Sequence, residues 1–81
     1  MNTKDGFKII LAKPPDYERL TVEIHFKGKF VAMVSQEGAE GSFDLETPRP
    51  ELNETRTTRK IDLKLFQKAL AIACKRLSTG I

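Results

Sequence analysis

The stretch from Leu20 to Gln36 constrains this 81-residue chain most. In its first arm Leu20, Val22, Ile24 and Phe26 alternate with Thr21, Glu23, His25 and Lys27. A period of two is the pattern of a strand with one buried and one wet face. The second arm, Phe30–Val34, is apolar at every position, as in a strand covered on both faces. Gly28 between the arms supplies the positive φ of a tight hairpin turn. Two registers fit. A two-residue turn puts Val31 and Met33 on the Ile24 face, and a three-residue turn puts Phe30, Ala32 and Val34 there, because one residue of slip exchanges the faces.

The remaining elements arrange themselves around this hairpin. Met1–Gly6 is polar and is expected to fray. Phe7–Ala12 is short and β-branched enough for a first strand, which Pro14 and Pro15 end by removing two backbone donors. Glu37–Ser42 has the composition of a turn, and Phe43-Asp44-Leu45-Glu46 alternates again, with Phe43 and Leu45 pointing inward. Residues 47–60 are polar, and alternation of Thr55, Thr57 and Arg59 up to Ile61 suggests a fifth, exposed edge strand over 55–61. The last element reads as a helix over about 62–78. Asp62 is its N-cap, and Ile61 with Phe66 forms a hydrophobic staple. Leu63, Phe66, Leu70, Ala73 and Leu77 repeat at helical spacing, widened by Ala69 and Cys74.

One such helix covers one face of a small antiparallel sheet. The expected architecture is therefore α+β: a two-layer sandwich in which an antiparallel meander of four strands, or five, is covered by a single C-terminal helix. Residues 1–81 form a single domain, too short for a second core. Its centre is predicted to be Met33 packed on Phe66.

The run Tyr17…Val22-Glu23-Ile24…Gly28-Lys29-Phe30-Val31-Ala32…Ser35-Gln36-Glu37, with Lys60-Ile61-Asp62-Leu63…Phe66…Ala69-Leu70…Ala73…Leu77, resembles a family of small uncharacterised bacterial proteins. The shared positions are mainly apolar and fold-forming. The resemblance implies no activity and no functional residue.

Composition bounds the chemistry. The single cysteine, Cys74, excludes an internal disulfide and leaves too few soft ligands for a structural zinc site. No apolar run approaches the roughly 18 residues of a membrane span, and Lys4, Asp5 and Lys8 interrupt any signal-peptide pattern. The expectation is a cytoplasmic protein without membrane attachment or cofactors. Charge is unevenly placed: residues 1–46 hold six Lys/Arg and eight Asp/Glu, residues 47–81 eight and three.

Each reactive residue has an ordinary reading beside the functional one. His25 could act as a general base oriented by Glu23 on the same strand face, but no nucleophile stands near it in the pattern, and a wet-face histidine is ordinary polar surface. Cys74 near a helix C-terminus faces a dipole that disfavours a thiolate, so it reads as a small core residue. Glu37, Glu40, Asp44 and Glu46 lack the spacing of a calcium loop, and Gly38 and Gly41 precede no phosphate-binding lysine. Lys64, Lys68 and Lys75 share a narrow arc opposite the apolar face, extended by Lys60. That stripe is either a solvated face or a contact for nucleic acid or an acidic partner. The sequence favours a non-catalytic protein-interaction module that meets a protein partner, or a second copy of itself through a sheet edge or an uncovered sheet face. Weak nucleic-acid binding through the basic stripe is the alternative.

Overall fold

The computed structural model describes residues 2–38, 42–47, 57 and 60–79. Four strands and one helix follow in order: β1 (Phe7–Ala12), β2 (Thr21–Phe26), β3 (Lys29–Ser35), β4 (Asp44–Glu46) and α1 (Leu63–Thr79). The strands pair antiparallel as the meander β1-β2-β3-β4. This is the α+β sandwich expected, with the helix one residue later at each end. A fifth strand is not required. Thr57 makes an isolated parallel bridge to Phe30, and the rest of the suggested edge strand before Lys60 lies outside the described residues.

The hairpin combines features of both registers. Phe26 pairs with Lys29, so the turn is the two-residue Lys27-Gly28, with φ of 50° and 82°. Two positive φ values in succession make a type I′ turn, whose twist matches that of the flanking strands. His25 then pairs with Phe30 but Ile24 pairs with Ala32, leaving Val31 as the extra residue of a β-bulge. The bulge re-phases the strand, so Ala32 and Val34 join Val22 and Ile24 beneath the helix. Met33 pairs with Glu23 on the other face and is only half-buried, which corrects the expected Met33–Phe66 contact.

The core lies between α1 and one sheet face. Phe7, Ile9, Val22, Ile24, Val31, Ala32 and Val34 meet Ala69, Ala73 and Leu77, all buried. The helix approaches the sheet through two alanines, a close contact that larger side chains would prevent. Phe66, Ile61, Leu65 and Leu70 pack half-buried around that seam. Asp62 caps the helix as expected: its Oδ2 accepts the Leu65 N–H at 3.0 Å. At the other end the Gln36 side-chain amide donates to the Leu77 carbonyl at 3.3 Å, tying the end of β3 to the last turn.

Residues 2–6 do not hang free. Asn2 bridges Lys8, the Thr3 N–H donates to the Phe7 carbonyl at 2.8 Å, and Thr3 Oγ1 accepts the Phe7 N–H at 3.1 Å. This short return covers the start of the β1 outer edge. The other outer strand, β4, is three residues long and carries Asp44 and Glu46. Both devices discourage strand addition at the edges.

Candidate functional site

Four regions of the surface carry chemistry: two on the sheet, one on the β1–β2 connector and one on the helix. On the sheet face away from α1, Lys8, His25 and Phe30 form one cross-strand row. The expected His25–Glu23 pair is present: Nε2 lies 3.0 Å from Glu23 Oε1, with the side chains 23% and 32% exposed. The His25 ring stands edge-on to Phe30 at 5.6 Å. An imidazole held by a carboxylate and an aromatic ring is oriented, but a base needs a group to deprotonate, and among the described residues no serine or cysteine hydrogen-bonds to this pair. Ile10 and Met33 flank Glu23 in the next row, half-buried.

The connector from β1 to β2 reaches across the far end of the sheet. The Tyr17 N–H closes a turn on the Pro14 carbonyl at 3.0 Å, and the phenol then donates to Glu46 Oε2 at 2.5 Å. Glu37 accepts two consecutive backbone N–H groups through its two oxygens, Glu18 at 2.6 Å and Arg19 at 2.9 Å. Arg19 Nη1 adds a bond to the Gln36 carbonyl at 3.3 Å. Glu46 thus holds the phenol while Glu37 holds the backbone just beyond it. The Glu46 hydrogen bond first, then burial and the nearby negative charges, push the Tyr17 pKa up to about 12. Beneath the connector Thr21 and Ser35 are buried, and the Thr21 hydroxyl donates to the Ala12 carbonyl at 3.1 Å.

The third region is the β4 margin on the helix side. Leu11, Val22, Val34 and Leu45 form one row across all four strands. Val22 and Val34 are 0% and 1% exposed, yet Leu45 is 49% exposed. The reason is reach: α1 rests on β1, β2 and β3 and does not touch β4. Phe43, two residues before Leu45 and on the same face by alternation, is 36% exposed. The inward placement expected of Phe43 and Leu45 is corrected accordingly. Their common face is the right one, but no helix covers it there. Leu20, at the same end of the sheet, is exposed as well.

The fourth region is the outer ridge of α1. Lys64, Lys68 and Lys75 are exposed along it, and Lys60 is exposed just before the helix. Residues Leu63–Thr79 contain four cations and no carboxylate. Among the described residues the one ion pair is His25–Glu23, and no described acid pairs with Lys60, Lys64, Lys68 or Lys75. On the flank of the helix Cys74 is half-buried, and burial raises its thiol pKa, as for a packing residue and not an activated nucleophile.

Among the described residues no group of three or more His, Cys, Asp or Glu converges on a point where a metal could sit. No described helix is long and apolar enough to cross a membrane. Comparison with protein-family models, curated proteins and solved structures finds no match. The Lys ridge and the His25–Glu23 pair could be read from periodicity. The Tyr17–Glu46 and Glu37–Arg19 contacts had no local signal, because they join residues 29 and 18 positions apart.

Proposed function

We propose that this chain is a small, non-catalytic protein-interaction module of the cytoplasm that docks a partner on the β4 margin, around Phe43 and Leu45. The observation that carries the reading is the exposure step along one apolar row, from 1% at Val34 to 49% at Leu45, where the helix layer stops. Large apolar side chains placed side by side at the limit of a core are the usual substance of a contact surface. The sheet edges support this reading by contrast, since one is partly covered by the N-terminal return and the other is short and acidic. The binary composition of the helix-free face, where Ile10 and Met33 flank a His–Glu pair, makes it a weaker candidate.

The first partner to test is a second copy of the chain. Size-exclusion chromatography with light scattering over a range of concentrations should show a mass that rises with concentration. Leu45→Lys should return it to the monomer without loss of the folded circular-dichroism spectrum, because Leu45 is half-exposed and outside the core. A native protein that stays monomeric, or a Leu45→Lys variant that still associates, would remove self-association through this margin.

A further inference from the structure

The outer ridge of α1 is a surface separate from the β4 margin, which the helix does not touch. A helix face that merely meets water ordinarily mixes charges, because an acid four residues from a lysine stabilises the helix by about 0.2–0.5 kcal/mol and a like charge there costs a similar amount. α1 instead places Lys64 and Lys68 four apart, adds Lys75 and Arg76, and has no carboxylate in 17 residues. Of the described acids, Glu37 and Glu46 bond the β1–β2 connector on the sheet side, and Asp62 caps the start of the helix. We infer that the outer face of α1 docks, through Lys64, Lys68 and Lys75 with Lys60 beside them, on the phosphate backbone of double-stranded DNA.

Several physical features select this occupant. At 1.5 Å per residue, Lys64 and Lys68 are about 6 Å apart along the axis, and Lys75 lies about 10 Å beyond Lys68. A DNA strand offers one charge per roughly 3.4 Å of axis, so a ridge of about 16 Å spans several phosphates. Ala71, exposed between Lys68 and Lys75, puts no bulk on the ridge. The B-form major groove admits a helix, whereas the A-form groove of duplex RNA is too deep and narrow for one. A single strand would want aromatic platforms, and the ridge has none. An anionic membrane would want an apolar helix face for insertion, but that face of α1 holds Ala69, Ala73 and Leu77 against the sheet.

The test is fluorescence anisotropy of a labelled DNA duplex against the full chain at several salt concentrations. Three phosphate contacts predict a slope of about −2.7 in log K against log salt, with no preference among sequences. The triple variant K64E/K68E/K75E should keep the fold, since all three side chains are exposed, and should lose binding at the salt where the native protein binds. The variant K4E/K13E/K29E changes net charge equally at exposed sites off the helix and should retain most of the affinity. The inference is overturned by no binding at about 50 mM salt, where backbone contacts are strong. Binding that the helix variant keeps overturns it, as does an equal loss in both variants, which would reflect bulk charge alone. Tighter binding to single strands or duplex RNA, or equal competition by polyglutamate, would assign the ridge to another partner.

Discussion

At the scale of single residues, the most informative side chain is Tyr17. It is the sole tyrosine, so its ionisation can be followed by ultraviolet absorbance without overlap. Its hydrogen bond to Glu46, with burial and the nearby carboxylates of Glu37 and Asp16, raises its pKa to about 12. The folded state therefore binds the phenolic proton more tightly than the unfolded chain. The stabilisation is fully present below the ordinary tyrosine value near 10 and is lost as pH rises through about 12. The predicted titration midpoint is about 12 in the native protein, falling towards 10 in Glu46→Ala. A native midpoint near 10 would mean that the connector does not hold Tyr17 on β4. Nothing in the sequence around Tyr17 announces this contact. Periodicity reports which residues share a face of one element, and a bond between residues 29 apart depends on how elements meet. The His25–Glu23 pair was legible for the opposite reason, since residues two apart on a strand always share a face.

At the scale of elements, the β2–β3 hairpin shows how far alternation carries. The turn residue Gly28 was legible, but the second positive φ at Lys27 was not, and neither was the bulge at Val31. A bulge adds a residue without changing the apolar character of Phe30–Val34, so the pattern reads alike in either register. The consequence fell on Met33, which faces away from the helix, while Ala32 took the core position. Two substitutions test the turn with opposite signs. Gly28→Ala meets no atom within 4 Å of its new methyl, so its cost is the left-handed backbone alone, about 1–2 kcal/mol. Lys27→Asn replaces a side chain that tolerates φ of 50° poorly with one that tolerates it well and should raise stability by up to about 1 kcal/mol. Urea unfolding of both variants checks the pair. A loss in Lys27→Asn, or no loss in Gly28→Ala, would contradict the type I′ turn.

At the scale of the whole molecule, the helix is as wide as it needs to be for three strands, and the sheet has four. That mismatch leaves the β4 margin open and explains why the expected inward placement of Phe43 and Leu45 failed: alternation gave their shared face, and only the helix position decides whether that face is covered. The lysine ridge was legible because a helix turns its charged residues outward whatever it packs on. The bonds of Glu37 and Glu46 were not, since they arise from the connector folding towards β4. The β4 margin is the proposed contact surface, and amide chemical shifts locate such a contact most directly. In nitrogen–proton correlation spectra of the uniformly labelled protein, recorded from dilute to concentrated samples, the shifts should move for Leu20, Phe43 and Leu45 and stay fixed for Ile10, His25 and Met33. Movement confined to the helix-free face, or no movement at any residue, would contradict self-association through the margin.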